Sequence, residues 1–191
     1  MNTLKILFTP LNYLRIKHSS KKWFDYIYPI SISLIIYLIF TFSPLSINLI
    51  GDKGLIPGIN GLLQILIGFY IAALAAVSTF GGAHIDKELS GEKATLKVSR
   101  AGEDKTIVLT RRKFISYLFG FLSFTSIVLY FLGLISTLLA VPLETYLSSF
   151  SKFSFYNVIQ DTFILIYSFI FASLMVNTLL GLHYLTDRIH R

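Results

Sequence analysis

Four long stretches of the chain are almost wholly apolar, and the polar residues collect between them. They are 26–42 (YIYPISISLIIYLIFTF), 55–80 (LIPGINGLLQILIGFYIAALAAVSTF), 114–141 (FISYLFGFLSFTSIVLYFLGLISTLLAV) and 162–182 (TFILIYSFIFASLMVNTLLGL). Each approaches or exceeds the roughly 20 residues that carry a helix across a bilayer. None holds Asp, Glu, Lys or Arg. The first is short, with Pro29 near its start at the membrane interface. The third is long enough that it must tilt or project a turn into the cytosol. The pattern predicts an all-α integral membrane protein of four transmembrane helices. It divides into an arm over 1–25, helices over 26–80, a loop over 81–113, helices over 114–183 and a tail over 184–191.

The one long polar stretch, GEKATLKVSRAGEDKTIVLTRRKF (91–114), reads differently from everything around it. In ATLKV, Leu96 and Val98 alternate with Thr95 and Lys97, and KTIVLT is rich in β-branched residues. Between them SRAGED supplies Gly102 for a turn, with Glu103 and Asp104 beside it. This predicts a β-hairpin. A lone two-stranded hairpin is marginal in water. It therefore needs support from the membrane ends, from other subunits or from a partner. That need makes Lys93, Lys97, Arg100, Glu103, Asp104 and Lys105 the expected partner-binding surface.

Before the first span, Leu4, Leu7, Phe8, Leu11 and Leu14 recur at helical spacing, with Lys5, Asn12 and Arg15 off that face. The spacing predicts a helix on the membrane surface, or else an arm packed on the bundle. A cleavable signal is not expected, because the apolar run is short and Pro10 interrupts it. Trp23, Phe24, Tyr26 and Tyr28 form an aromatic belt.

Composition agrees with a membrane protein. The chain is 54% hydrophobic and only 14% charged, against about 25% charged in a soluble domain, and its mean hydropathy is +0.68. With no cysteine, disulfides and thiolate metal sites are excluded. The net charge of +7 matters through its placement. Fifteen of the seventeen basic residues lie in the arm, the central loop and the tail; only Lys53 and Lys152 lie in the other two loops. The positive-inside rule then puts both termini and the hairpin in the cytoplasm, with the protein expected in a bacterial inner membrane.

Candidate chemistry is sparse. No ionisable residue falls within the apolar cores, so a proton relay lacks its usual groups. The neutral polar residues, among them Asn60, Gln64, Ser168 and Asn177, suit hydrogen bonds between helices. The alternative is a pore lined by hydroxyls and amides, with Gln64 and Asn177 the first candidates. Gly68, Ala72 and Ala76 repeat small-xxx-small, which serves close packing inside the bundle or between subunits. In GGAHIDKELSGE, His84, Asp86 and Glu88 would share one face of an extended segment, but one histidine with two carboxylates is a poor ligand set. His183 and His190 add nothing to it. No nucleophile elbow or phosphate-binding glycine loop occurs, so neither an enzyme nor a cofactor is expected. Arg111, Arg112 and Lys113 anchor to anionic lipid beside Trp23. Acidic residues interleave with the basic ones in the loop, so direct nucleic-acid binding is not expected.

In GFYIAALAAVSTFGG, the hairpin loop and ISYLFGFLSF, on a four-span plan of this length, the chain resembles the KwaA family, membrane subunits of the Kiwa anti-phage defence system. The resemblance implies a membrane sensor assembled as a homo-oligomer, a tetramer, that partners a cytosolic DNA-binding effector. The expectation is a non-enzymatic scaffold or sensor that recruits this effector through residues 83–113. A small oligomeric channel or holin-like pore is the alternative, and an assembly or immunity factor a third.

Overall fold

A computed structural model describes residues 6–18, 20–42, 48–51, 54–79, 85–88, 94–100, 103–150 and 154–188. Four α-helices dominate: α1 (Tyr28–Phe42), α2 (Leu55–Thr79), α3 (Arg111–Phe150) and α4 (Ser154–His183). Strands β1 (Thr95–Arg100) and β2 (Glu103–Val108) lie between α2 and α3. A 3-10 helix covers Thr9–Arg15, and single π-helical stretches precede α1 (Trp23–Ile27) and follow α4 (Tyr184–Arg188). Four segments are long and apolar enough to cross a membrane: Trp23–Phe42, Leu55–Thr79, Arg111–Pro142 and Val158–Thr186. They match the four expected stretches to within a few residues at most ends.

The third span runs from Arg111 to Pro142, so it begins three residues before the expected apolar stretch, at the hairpin end. α3 begins at Arg111, directly after the hairpin, and continues through Pro142 to Phe150. The turns beyond Pro142 extend from the end of the bundle far from the hairpin, by about 12 Å at 1.5 Å per residue.

The helices pack in the order α1–α4–α3–α2. Consecutive helices α1 and α2 thus occupy opposite edges, and each has one main helical neighbour. The interior is aromatic and aliphatic: Ile56, Leu63 and Tyr70 of α2 and Ile115, Leu118, Phe119 and Leu122 of α3 are all essentially inaccessible, and the rings of Tyr70 and Phe119 lie 6.3 Å apart. The outside is just as apolar, with Phe42, Ile65, Leu138 and Val141 each at least 70% exposed. Water would oppose so continuous an apolar surface; the lipid interior does not.

Several polar groups inside the spans bond to one another or to their own helix, because no solvent is available there, although the buried Ser123 and Ser126 hydroxyls have no partner among the described residues. Ser33 meets Ser168 at 2.8 Å across α1 and α4. Tyr70 bonds Thr178 across α2 and α4. Tyr167 donates to Asn60 at 3.3 Å, again joining α4 to α2. α3 passes this junction on Gly133. A Cβ there would lie 2.5 Å from Asn60 Oδ1 and 2.8 Å from the Tyr167 hydroxyl, so only glycine lets the three helices meet.

The hairpin pairs in antiparallel register from Thr95↔Val108 to Arg100↔Glu103. Its strands run further toward the turn than the alternation alone suggested, taking in Glu103; Ala101 and Gly102 lie outside the described residues. Its support comes from its own chain. Lys17 pairs with Thr95 through two backbone bonds, N to O of 2.9 and 3.2 Å, which brings the N-terminal arm alongside β1. On the other side Glu88 bridges Thr110. The carbonyls of Lys87 and Ile85 accept from the amides of Arg111 and Arg112, at 3.0 and 2.9 Å. Those amides are among the ones a helix start leaves without intrahelical partners. Beneath the strands Ile85, Ala94, Leu96 and Leu109 are buried in the same core as the helices. Neither a second subunit nor a partner is required to hold the hairpin.

Candidate functional site

The arm is not the single amphipathic face that its leucine spacing suggested. Pro10 sits in the first turn of the 3-10 helix, a position that tolerates its missing N–H. The tighter winding splits the segment. Leu7, Phe8 and Leu14 are exposed, while Tyr13 and Ile16 turn into the core; Leu4 lies outside the described residues.

Tyr13 is the centre of a buried polar knot that sequence reasoning missed. Its ring stacks on Phe121 of α3 at 4.9 Å. Its hydroxyl lies 2.9 Å from Asn177 Oδ1 of α4 and 3.3 Å from Asp25 Oδ1 in the π-helical turn before α1. One phenolic proton faces two acceptors, of which Asp25 is also ion-paired to Lys21. The Lys21 ammonium lies 4.4 Å from the centroid of the Tyr13 ring, within cation–π range. Asn177 is oriented by its own amide, which donates to the Ser173 carbonyl at 3.0 Å. Burial, then the Asp25 charge, pushes the Tyr13 phenol well above its usual range. The knot ties the arm, α1, α3 and α4 together at the hairpin end.

Asp25 also narrows an earlier reading. The first span starts at Trp23 rather than Tyr26, so an ionisable residue does fall in its first turn, 5% exposed. Its local sign was available: Lys21 precedes it by four residues, the spacing at which helical side chains pair.

A second fastening joins the loop to α3. Arg112 makes a two-pronged bond to Asp86, Nε to Oδ1 at 2.8 Å and an Nη to Oδ2 at 3.2 Å, and its other Nη reaches the Val77 carbonyl at 3.2 Å. The guanidinium holds the Asp86 carboxyl below its usual range, chiefly through these hydrogen bonds. The basic triplet expected to anchor lipid thus has three placements: Arg111 is buried, Arg112 clasps Asp86, and Lys113 is exposed. Trp23, 53% exposed at the start of the first span, stands beside Tyr28 with ring centres 6.0 Å apart.

The expected partner-binding residues do not form one surface. Cross-strand partners share a face, so Lys97, opposite Thr106, points away from the core, whereas Lys105, opposite Val98, lies on the side facing the arm and α3. Lys93 lies outside the described residues, and for Arg100, Glu103 and Asp104 only the backbone pairing is described. Glu88 is held by its bridge to Thr110 and His84 lies outside the described residues. Among the described residues no three metal-ligating side chains gather. His183 is exposed beside Tyr184, and His190 lies outside the described residues.

The two pore candidates are separated. Asn177 is fully buried in the knot. Gln64 is exposed on α2 and donates to the Tyr130 hydroxyl at 3.1 Å. The small-xxx-small residues of α2 lie on its outward side, while Ala73 faces the bundle. Gly58, Gly61, Gly68 and Ala72 are exposed, Ala76 partly so. A Cβ on any of the three glycines would meet nothing within 4 Å.

Comparison with protein families, with curated proteins and with solved structures finds no match for this chain.

Proposed function

We propose that the protein is a non-enzymatic membrane scaffold or sensor that homo-oligomerises through α2 and presents its hairpin to a cytosolic effector. The observation that carries this reading is the outward stripe of Gly61, Gly68 and Ala72 on an edge helix with one main helical neighbour. Within a membrane, close backbone approach over small residues is a leading source of helix association. Among the described residues nothing lies within 4 Å of a Cβ added at Gly61 or Gly68, while Gly133 shows what a glycine in use looks like. The hairpin supports the docking role. It is fastened at both sides to the membrane end of the bundle, so an event in the spans reaches a cytosolic surface through rigid structure. The charge asymmetry supports a cytoplasmic position for that surface, and the resemblance to the KwaA family suggests anti-phage defence as the setting and a tetramer as the assembly. The docking face is the outward side of the strands, with Lys97 and Thr106. The test is co-purification of soluble proteins with Lys97→Glu/Thr106→Glu. Loss of one specific partner, with the membrane protein still folded, is expected; unchanged recovery refutes the docking role.

A second reading is favoured by one observation. Gln64 lies on the exposed side of α2, about 60° around the helix from the small-residue stripe. An oligomer built on α2 would bring copies of Gln64 close to its axis, as a polar ring in a small pore. Single-channel recording in a planar bilayer tests it. Currents abolished by Gln64→Leu support a pore, and a silent wild type under voltage and tension removes it.

A further inference from the structure

A groove of about 840 Å³ opens at the hairpin end, on the opposite side of the strands from Lys97. Three walls of separate origin enclose it. The arm contributes Ile6 and Pro10, the inner face of the hairpin contributes Val98, Lys105 and Ile107, and the first turns of α3 contribute Lys113, Tyr117 and Gly120. Its size lies within the roughly 300–1,000 Å³ of sites that hold small molecules.

The lining is divided by depth and by chemistry. Lys113 stands at the start of α3, and Lys105 on the hairpin that precedes it, so the cations mark the polar rim. Arg112 joins them, but its outer edge is occupied by Asp86. No acidic residue lines the groove among the described residues. Gly120 lies seven residues further into the span, about 10 Å deeper at 1.5 Å per residue, and Tyr117 and Ile6 supply apolar wall on the way. A Cβ at Gly120 would meet nothing within 4 Å, so the deep end is open space and not a packed junction. A ligand that fits must carry negative charge at one end and hydrocarbon at the other, and must reach the site from within the bilayer.

We infer that this groove is a binding site for one anionic phospholipid, its phosphate held by Lys105 and Lys113 and its acyl chain laid along Tyr117 and Gly120. The lipid would touch the arm, the hairpin and α3 at once. It would act as a strut between the effector-facing strands and the membrane, making the position of the hairpin sensitive to lipid composition. The inference rests on the membrane insertion of the four spans and not on the identity of any effector or on oligomer formation.

The test is lipid retention by the full-length protein in native mass spectrometry, titrated with phosphatidylglycerol and with phosphatidylcholine. One tightly held phosphatidylglycerol is expected. Each cation near a lipid headgroup contributes about fivefold in affinity, so Lys105→Gln/Lys113→Gln should weaken phosphatidylglycerol about 25-fold and leave phosphatidylcholine unchanged. Removing the same charge outside the groove, in Arg15→Gln/Lys22→Gln, should leave the tight lipid in place. Gly120→Leu fills the deep end and should block the acyl chain; it decides the matter if the lysine variant does not fold. Equal retention of the two lipids, undiminished binding in the lysine variant or in Gly120→Leu, or displacement by glycerol phosphate without acyl chains would each overturn the inference.

Discussion

Replacing Tyr13 by phenylalanine separates the hydroxyl from the ring that carries it. The phenyl ring keeps its stacking on Phe121 and its place beneath Lys21. What disappears is the single donor shared by Asn177 and Asp25. Asn177 is fully buried and Asp25 nearly so, so neither acceptor recovers a water molecule. Leaving a buried acceptor without its donor costs about 1–3 kcal/mol. Taking about 2 kcal/mol, at 1.4 kcal/mol per factor of ten, the arm should open about 30-fold more often. The readout is amide hydrogen exchange in nanodiscs at Lys17 and Thr95, whose N–H groups bond each other's carbonyls and are exposed to exchange only when the arm leaves the hairpin. Amides in the middle of α3 serve as the internal control and should not change. Tyr13→Leu, which also removes the ring, should accelerate exchange further. If Tyr13→Phe exchanges within twofold of the wild type at Lys17 and Thr95, the knot does not hold the arm and the reasoning fails.

Four further outcomes follow from the structure. Asp25→Leu leaves Lys21 with no carboxylate beneath it and should destabilise the fold by about 3–5 kcal/mol, while the double change Lys21→Met/Asp25→Leu, which removes both charges, should recover more than half of that in a denaturation assay. Gly133→Ala should cost about 1–3 kcal/mol through overpacking against Asn60 and Tyr167, whereas Gly68→Ala should leave the stability of the isolated chain unchanged. The Asp86–Arg112 clasp should be insensitive to pH from 8 to 5. The Arg112 hydrogen bonds hold the folded carboxyl below its ordinary range, so the stability it contributes is present above the unfolded value of about 3.9 and is lost only as pH falls through the lowered one. Tyr13 runs the other way: its raised phenol favours the fold fully below about pH 10 and loses that contribution as pH rises further. Melting temperature against pH reads both limits.

The spans were legible because length and the absence of charge are local properties of the chain. The hairpin was legible because alternation is local too, and Leu96 does turn inward while Lys97 turns out. What held the hairpin was not legible, since Lys17 meets Thr95 from a distant part of the sequence. The knot was hidden for the same reason: Tyr13 and Asn177 are 164 residues apart. Asp25 sat in an aromatic run that read as a lipid belt, and only its spacing from Lys21 hinted at a buried pair. The helix beyond the third span was not legible because PLETYLSSF after Val141 is polar and begins with proline, which ends an apolar run without ending the helix. The small residues of α2 were visible, but composition cannot say which face of a helix lacks a neighbour. That depends on α1 and α2 lying at opposite edges, a fact of tertiary packing alone.

The central claim is that α2 joins copies of this chain. The direct measurement is the mass of the purified protein in lipid nanodiscs, by mass photometry, for the wild type and for Gly68→Ile/Ala72→Ile. The account predicts a defined multiple of the 21.6 kDa chain for the wild type, four copies if the family resemblance holds. The variant should give the single chain, still folded, because a Cβ at Gly68 meets nothing within 4 Å and Ala72 is exposed. A monomeric wild type, or a variant that keeps the same multiple, would contradict it.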